Sequence, residues 1–436
     1  MQLQHHIAKI SWTLADKVLY VVYGFVFLIK ISLLSTDNLA LFGFLTAFNT
    51  WIFVIGDSFA LQSIIQYGFE HENRKKVNTF ALIIHSVIVL SLTFLISYSG
   101  SALAGIMDEP RIDEITYYLP ILTVLMLPRT FCLKLMLREH NMSGIFMSNF
   151  VFFGVMVAYI LYYKFTGQML NLDTAAEIYL YGTGASSIVS IVIAWRMLEF
   201  SFTGNIKLKD IVSFSLPFTI TNAINTIPKY LDILILKLFF PLDQIGIYSA
   251  AKSLFKFFEE GMNGVNGLVY PAAVRAVTSG DKVGLHSIVS KAVSFTLILF
   301  AVGAVILTLG LSDILIAYLM KAKFIDAATH FKLLLIATLF LPFNILYFVI
   351  TASGKHYDLM RIVAISFAVS VLSFIIIGVI NKPVLMPLGY VAFYGAFAFQ
   401  AIRFVNINQI VVLSSRDIFR AFDDTIKYAE KMIRKL

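Results

Sequence analysis

Residues 359–380 read LMRIVAISFAVSVLSFIIIGVI, a run in which Arg361 is the only charged side chain. A helix of about 20 apolar residues crosses the hydrocarbon core of a bilayer, so this run predicts one membrane span. Comparable windows recur along the chain between residues 11 and 411. The sequence therefore predicts an all-α polytopic membrane protein.

The composition agrees with this prediction. The chain has 436 residues, of which 59% are apolar and 14% charged. Soluble globular domains carry about 45–50% apolar and about 25% charged residues, so a soluble enzyme of this size is excluded. The 40 Phe and 20 Tyr residues exclude a disordered chain. The single cysteine, Cys132, excludes an intramolecular disulfide and a cysteine-based zinc site.

Apolar windows of span length predict about twelve transmembrane helices in two groups of six. The windows of the first group are 11–34, 39–66, 78–105, 115–138, 142–163 and 175–197. The windows of the second group are 210–240, 244–273, 288–311, 326–352, 359–380 and 385–411. The predicted domains are a first bundle at 1–198, a cytoplasmic linker at 199–209, a second bundle at 210–411 and a basic tail at 412–436.

The distribution of Lys and Arg predicts the orientation in the membrane. Cations collect in loops on one side, as at Arg74-Lys75-Lys76, whereas the loop at 108–114 on the other side is acidic. Because cationic short loops stay in the cytoplasm, both termini are predicted to be cytoplasmic. The same loops account for the net charge of +8 without a nucleic-acid partner. The basic tail is expected to be an amphipathic helix on the inner leaflet or a plain solubilising tail.

The two groups of helices show an internal repeat. Residues 43–47, Gly-Phe-Leu-Thr-Ala, align with residues 246–250, Gly-Ile-Tyr-Ser-Ala. The same offset places Asp57 opposite Glu260. Both halves contain six helices and enter from the same side, so the repeat is parallel. Parallel halves related by an axis along the membrane normal are a transporter architecture that handles substrate at their interface.

The eighth span carries more charge than lipid tolerates. Lys252, Lys256, Glu260 and Asn263 follow one another at intervals of four, four and three residues, which places them on one helix face. A charged side chain inside a span costs roughly 2.5–3.5 kcal/mol on insertion scales, so such residues face a cavity or a partner. The alternative interpretation is that Lys256 and Glu260 pair within the helix and fasten it to a neighbour.

Other spans contribute further candidate residues. Cations, acids and tyrosines at these positions suit an anionic, sugar-bearing amphiphile, since cationic groups bind phosphate. The candidates are Lys229 and Asp232 in the seventh span, Tyr248 and Glu259 in the eighth, Asp57 in the second and Arg129 in the fourth. Adjacent Asp16 and Lys17 are expected at the membrane interface, Lys237 is expected to reach toward it, and His85 is expected to pack between helices.

Several catalytic motifs are absent from the sequence. The chain contains no Gly-x-x-x-x-Gly-Lys-Ser/Thr loop, so we expect no ATP hydrolysis. It also lacks the His-Glu-x-x-His and Gly-x-Ser-x-Gly patterns of metalloproteases and serine hydrolases. The sequence therefore predicts a protein that is not an enzyme and holds no metal or organic cofactor.

The second half resembles a known family. Its motifs are Ser215-Leu216-Pro217, the helix-borne Asp232, the run Gly246-Ile-Tyr-Ser-Ala-Ala-Lys252 and the closing Pro271. They are similar to those of polysaccharide-biosynthesis and O-antigen-type flippases of the multidrug/oligosaccharidyl-lipid/polysaccharide exporter superfamily. In that family a basic or neutral residue often follows the Asp, whereas Ile233 follows it here.

The resemblance implies two six-helix bundles in the V shape of a MATE transporter. It also implies a flippase that moves an undecaprenyl-diphosphate-linked oligosaccharide across the bacterial cytoplasmic membrane by alternating access. The expected diphosphate or glycan ligands are Lys252, Lys256, Arg129, Lys229, Asp232 and Tyr248. The expected ion-coupling residues are Asp57, Glu259 and Glu260, because a carboxylate away from water takes up a proton more readily. The coupling ion is expected to be Na⁺ or H⁺.

Three other functions remain open. A drug/cation antiporter of the same superfamily would use the carboxylates to bind an organic cation. A membrane glycosyltransferase or polymerase would need a sizeable outer loop, which the sequence lacks, and a scaffold for envelope assembly would not depend on the buried charges. The expected partners are the lipid-linked substrate, membrane lipid and other polysaccharide assembly proteins, with no nucleic acid and a monomer as the default state.

Overall fold

The computed structural model describes residues 2–70, 72–226 and 228–414, together with 416, 420 and 423. The amphipathic helix predicted for the basic tail rests on Ile418, Phe419, Phe422, Ile426, Met432 and Ile433, which lie outside the described residues. Within the described residues the chain is helical, and its contacts divide it into two units, Met1–Leu238 and Phe239–Leu436.

Among the described residues, the first unit contains eight helices of ten residues or more and one shorter helix. The longer helices are α1 (Gln2–Leu33), α2 (Thr36–Tyr67), α3 (Arg74–Tyr98), α4 (Arg111–Arg138), α5 (Met142–Thr166), α6 (Leu172–Met197), α7 (Leu208–Thr226) and α8 (Pro228–Lys237). A short helix, Gly100–Ile106, follows α3. Helix α6 packs against α4 and α5, α1 packs against α5, and α7 packs against α2.

The second unit contains six helices. They are α9 (Leu242–Thr278), α10 (Lys282–Met320), α11 (Ala327–Leu339), α12 (Leu341–Ala352), α13 (His356–Ile380) and α14 (Pro387–Ile407). Helix α9 packs against α10, α11 and α12, and α13 packs against α14. The core of this unit includes the completely buried rings of Phe255, Phe374 and Tyr390.

The described helices confirm the predicted membrane fold. Helices α7 and α8 together cover the seventh predicted span, while α11 and α12 cover the tenth and meet at a bend of 51°. Eight helices in the described residues are long and apolar enough to cross a membrane, or nine if the bent pair is one span. Helix α9, the eighth span, does not meet that criterion because Lys252, Lys256, Glu259 and Glu260 interrupt its apolar surface.

Side-chain caps explain where several helices begin. Asn141 accepts from the backbone N–H of Gly144 at 3.0 Å at the start of α5. Asp281 accepts from that of Gly284 at 2.8 Å at the start of α10. Such caps satisfy backbone donors that have no partner within the helix. These caps mark where α5 and α10 begin.

The segment between α6 and α7 is bound to the start of α3. The Nδ2 of Asn78 donates to the carbonyl of Glu199 at 3.0 Å, and the Oδ1 of Asn73 accepts from the backbone N–H groups of Asn205 and Ile206 at 3.0 and 3.1 Å. These bonds hold the segment against the first unit, to which α7 and α8 also belong. The predicted linker at 199–209 separates the two halves of the sequence repeat, and this domain boundary stays a prediction.

Candidate functional site

The buried His85 and the half-buried Asp57 form a pair in the first unit. The two residues join α2 to α3, with 2.9 Å between Asp57 Oδ1 and His85 Nε2. Asp57 opens a π-helical turn, Asp57–Leu61, inside α2. Gly56 permits the close approach of the two helices, because a Cβ there would lie 2.4 Å from Val89 Cγ2 and 3.1 Å from His85 Cδ2. Single π turns within α-helices are frequent at functional sites.

Arg129 is the centre of a second buried network in the first unit. Its Nε donates to Ser186 Oγ at 2.8 Å and its Nη2 donates to Asn149 Oδ1 at 2.6 Å. Asn149 in turn donates through Nδ2 to Asp16 Oδ1 at 2.8 Å. The guanidinium also lies 4.5 Å from the ring centroid of Phe152. The side chain expected to bind phosphate thus connects α1, α4, α5 and α6.

The two polar networks of the first unit are close neighbours. The charges of Asp16 and Asp57 both act on the Arg129 guanidinium. The Nδ2 of Asn222 on α7 donates to Ser58 Oγ, in the π turn, at 3.1 Å. The structure therefore places the predicted residues Asp57 and Arg129 within electrostatic reach of each other. It also adds Asp16, expected at the interface, and His85, expected only to pack.

Two buried lysines of the first unit lie at helix ends. Lys30 is completely buried, with its Nζ 3.4 Å from the ring centroid of Phe42 and 3.4 Å from the carbonyl oxygen of Ala175. Its position in the sequence carries no signal for this role. Lys237, expected to reach toward the interface, donates to the carbonyl of Met107 at 2.8 Å. Each cation satisfies a backbone acceptor, which fits a role in holding helix ends together.

The charged residues of the eighth span, α9, lie partly inside the second unit and partly on its surface. Glu259 Oε1 accepts from the hydroxyls of Tyr390 and Tyr394, both at 2.6 Å, and so joins α9 to α14. Lys252 is buried, and its Nζ lies 5.1 Å from the ring centroid of Tyr390. Glu259 is thus part of a cluster of two tyrosines and a lysine inside the unit.

The charged face predicted for α9 is accessible over most of its length. Lys256, Glu260 and Asn263 are exposed on the second unit, while Lys252, at the end of this face, is buried. The glycines at 264 and 267, which follow on α9, have open space where a side chain would start. This surface is suited to meet a hydrated or charged ligand.

The remaining predicted residues are less accessible. Tyr248 is completely buried in the second unit, 6.3 Å from His330 between ring centroids. On α8, Asp232 is completely buried and Lys229 is half-buried. Of the predicted ligands, Lys256 and Lys229 are therefore better placed to touch a substrate directly. Tyr248 and Asp232 are placed to support the residues around them.

Residues at the predicted cytoplasmic ends of α3 and α4 form an ion cluster. Glu139, just after α4, pairs with Arg74 and with the Nε of Arg138, the latter at 2.9 Å. Arg138 also donates through Nη1 to Asn78 Oδ1 at 2.8 Å, which links the cluster to the bound segment after α6. Burial raises the pKa of Glu139, but the hydrogen bonds and charges of the two arginines outweigh it and leave that pKa below its usual range.

An open pocket of about 500 Å³ lies in the first unit, away from these networks. It is lined by Pro110, Asp113, Glu114, Tyr117, Tyr118 and Asp173. The hydroxyl of Tyr118 donates to Asp173 at 2.7 Å, which ties α4 to the start of α6. In the part of the chain that the structure describes, no group of three or more His, Cys, Asp or Glu side chains could hold a metal ion.

Solved structures similar to this chain are transporters and a flippase. A multidrug resistance MATE family transporter of the MOP superfamily, in an inward-facing conformation, has a TM-score of 0.72 and 13% identity, covering 90% of this chain and 96% of that one. The lipid II flippase MurJ has a TM-score of 0.72 and 13% identity, covering 97% and 93%. A MOP superfamily transporter from Pyrococcus furiosus has a TM-score of 0.60 and 13% identity, covering 93% and 92%.

These similarities establish the fold, which is that of the MATE and MurJ structures. The search of curated proteins found no match. A family profile described as "Polysaccharide biosynthesis protein" matches residues 7–277, well over half of the sequence. The chain belongs to the polysaccharide biosynthesis protein family, whose fold is that of membrane transporters and flippases.

Proposed function

We propose that the protein is a flippase that moves an undecaprenyl-diphosphate-linked oligosaccharide repeat unit across the bacterial cytoplasmic membrane by alternating access. The observation that carries the proposal is the exposed charged face of α9 within a polysaccharide biosynthesis fold. The similarity to the lipid II flippase MurJ supports it. A lipid-linked glycan needs a charged, wettable surface for its head group while its polyprenyl tail stays in lipid.

The cationic side chains have different roles in this proposal. Lys256 and Lys229 are accessible enough to contact the diphosphate or an acidic glycan. Lys252 and Arg129, which are almost fully buried, contribute their charge and keep neighbouring helices in place. Tyr248 and Asp232 act through the side chains around them. Ammonium and guanidinium groups are the usual protein partners of phosphate.

The proposed coupling residues are Asp57, Glu259 and Glu260. Asp57 is paired with His85, and Glu259 is held by two tyrosine hydroxyls. Glu260 lies on the exposed face of α9 beside Lys256. Carboxylates within membrane helices are typical of ion and proton pathways. Each of the three can therefore take up Na⁺ or H⁺ during a transport cycle.

The proposal includes a location and partners. The chain would lie in the inner membrane with both termini in the cytoplasm. It would act as a monomer on a lipid-linked substrate, without a metal, an organic cofactor or a catalytic step. Other polysaccharide assembly proteins would supply and polymerise the repeat units.

Deletion of the gene in its host tests the proposed function. We expect loss of the surface polysaccharide and accumulation of undecaprenyl-linked repeat units on the inner leaflet. Unchanged polysaccharide and lipid pools would contradict the proposal.

A double substitution tests the cationic residues in the same strain. Lys252→Ala with Lys256→Ala should abolish rescue by plasmid expression. Lys355→Ala, which removes an exposed cation outside this face, should rescue fully. If the double variant displays wild-type amounts of glycan, the phosphate-binding role of these lysines is wrong.

A drug/cation antiporter is the second candidate function. The MATE transporter matches this chain as well as MurJ does, with a TM-score of 0.72 in each case. The cations on the face of α9 disfavour an organic cation as substrate, since like charges repel. Increased drug resistance on expression, with normal polysaccharide in the deletion strain, would favour the antiporter.

A further inference from the structure

A lysine at the end of α8 holds the turn that precedes α4. The Nζ of Lys237 donates to the carbonyl oxygen of Met107 at 2.8 Å, and both residues are buried. Met107 follows directly on the short helix Gly100–Ile106 and caps its C-terminal end. Carbonyl groups at that end of a helix have no partner within it and carry partial negative charge, so they favour a cation. The bond joins residues that are 130 positions apart in the sequence.

The turn that accepts this bond is also fixed from its other side. Its residue Asp108 has a φ of 48°, in the left-handed region that side chains other than glycine rarely adopt. Arg111, at the start of α4, donates through Nε to Glu109 Oε1 at 2.8 Å and through Nη2 to Asp37 Oδ2 at 3.4 Å. Asp37 belongs to the first turn of α2. The Met107 carbonyl is thus presented to α8 by a turn that is tied to α2 and α4.

Lys237 lies where the two contact-defined units meet along the chain, as the last residue of α8. The sequence repeat assigns α8 to the second group of six helices, at the end of the seventh predicted span. In the described residues, however, α8 packs against α2 and α7, and its contacts place it in the first unit. Lys237 therefore fastens this helix to the first unit at its predicted outer end, just before the chain continues into the second unit.

The chemistry of the bond suits a contact that opens and closes. Alternating access moves one group of helices against the other, so contacts of the helix that joins them must break and re-form. Separation of a buried ion pair leaves an uncompensated charge behind, whereas the acceptor of Lys237 is a neutral carbonyl. A lysine at a helix end can also reach water with its long side chain once the bond is open. One hydrogen bond from a charged donor changes an equilibrium constant roughly tenfold to a hundredfold.

We infer that Lys237 is a latch, which holds the outer end of α8 on the first unit in this conformation and releases it in each transport cycle. The inference rests on the proposed transport function and names a helix that moves and the residue that holds it. Release would let the seventh span move with the second group of helices, to which the sequence repeat assigns it.

Thiol labelling of purified full-length protein in lipid nanodiscs tests the latch without a substrate. Leu236 is completely buried beside Lys237 on α8, so a cysteine placed there reacts with a water-soluble maleimide when α8 leaves the first unit. Lys237→Met removes the N–H donors and keeps a side chain of similar length, and it should speed the labelling of Leu236→Cys roughly tenfold or more. Lys237→Arg keeps donors and should label at close to the rate of the chain with Lys237.

Two controls separate release of α8 from general unfolding. Cys132 is buried in the first unit, so its labelling in chains without Leu236→Cys reports loss of structure. Lys382→Met, which removes an exposed cation of another predicted outer loop, should leave the labelling rate unchanged. Equal rates for Leu236→Cys with and without Lys237→Met would overturn the inference. A parallel rise in the labelling of Cys132 would overturn it too, because Lys237 would then support the unit as a whole.

Cross-linking tests whether release is needed for transport. Asp108→Cys and Leu238→Cys place thiols at exposed positions next to the two ends of the bond and leave Lys237 unchanged. Joining them with a cleavable bifunctional thiol reagent, in the deletion strain that carries this variant, should stop display of newly made glycan, and cleavage should restore it. The two single variants, treated in the same way, should display normal amounts. Undiminished display by the cross-linked protein would show that the latch does not open, which overturns the inference.

The latch and the flippase proposal can fail separately. If Lys237→Met speeds the labelling but the deletion strain has normal polysaccharide, the latch stands and the flippase proposal fails. If the deletion strain loses its polysaccharide but Lys237→Met leaves the labelling unchanged, the latch is wrong and the flippase proposal stands.

Discussion

Replacement of Gly56 by Ala should destabilise the first unit. The new Cβ would lie 2.4 Å from Val89 Cγ2, whereas carbon atoms pack best at about 3.5–4.0 Å. A helical valine has one strongly preferred rotamer, so Val89 cannot turn away and α2 must separate from α3 by about 1 Å. That movement also stretches the 2.9 Å bond between Asp57 and His85.

The expected loss of stability combines two effects. Overpacking of a core costs about 1–3 kcal/mol, and a hydrogen bond to a charged group contributes about 1.5–3 kcal/mol. The better helix propensity of alanine offsets about 1 kcal/mol. We expect a net loss of about 2–4 kcal/mol, in contrast to Gly154→Ala in α5, where no atom lies within 4 Å of the new Cβ.

The protein contains a built-in reporter for this measurement. Cys132 is the only cysteine and is buried, so a fluorogenic thiol reagent reports unfolding on heating. Gly56→Ala should lower the unfolding midpoint, and adding Val89→Ala should restore part of it because Cγ2 is removed. A midpoint equal to that of Gly154→Ala, or a further fall in the double variant, would refute the steric argument.

The same thiol assay tests three other predictions. Asn149→Leu should lower stability by about 3 kcal/mol because the Arg129 guanidinium loses a buried acceptor and Asp16 loses a donor, whereas Met147→Leu, at an exposed position of the same helix, should not; equal midpoints for the two variants would contradict it. Tyr394→Phe should cost about 1.5–3 kcal/mol by removing a donor to Glu259, and the cost should fall to about 0.5–1.5 kcal/mol in a Glu259→Gln background, where the acceptor is neutral; equal costs in the two backgrounds would contradict it. The pKa of Glu139 is lower in the folded protein than in the unfolded chain. Its contribution to the free energy of unfolding is therefore fully present above the unfolded-state pKa, and it is lost as the pH falls through the folded-state pKa. Glu139→Gln should therefore reduce the fall in the unfolding midpoint at acidic pH. An unchanged fall would show that other groups cause it.

The sequence was sufficient for the membrane fold because apolar run length is a local property. Residues 359–380 predicted a span, and the structure has a helix at His356–Ile380. The 51° bend between α11 and α12 could not be predicted in the same way. Pro342 lies at that bend, but α4 contains Pro120 and Pro128 and continues without a break. Tertiary packing decides which proline interrupts a helix.

The sequence does not predict which polar side chains pair between helices. The sequence predicts only a packing role for His85, because its partner, Asp57, is 28 residues away on another helix. Repeat alignment selected Glu260, which is exposed, whereas the neighbouring Glu259 binds the two tyrosines. Adjacent residues on a helix point about 100° apart, so depth in the membrane does not determine which one faces a partner.

The buried position of Lys30 could not be predicted from the sequence. A lysine near the end of a span is read as interfacial, because its long side chain can reach water. In the structure the side chain turns inward to Phe42 and the carbonyl of Ala175. The acceptor and the ring belong to α6 and α2, so only the packing of three helices reveals this role.

The bonds between the start of α3 and residues 199–206 determine how the gene can be divided into two coding pieces. A break at Gly204, where sequence symmetry suggests one, would assign α7 and α8 to a fragment that lacks the helices they pack against. A break between Leu238 and Phe239 keeps every helix of each contact-defined unit within one polypeptide. Split proteins and fusions should therefore be divided at 238/239, where the packing changes, although the sequence repeat places its boundary at the linker.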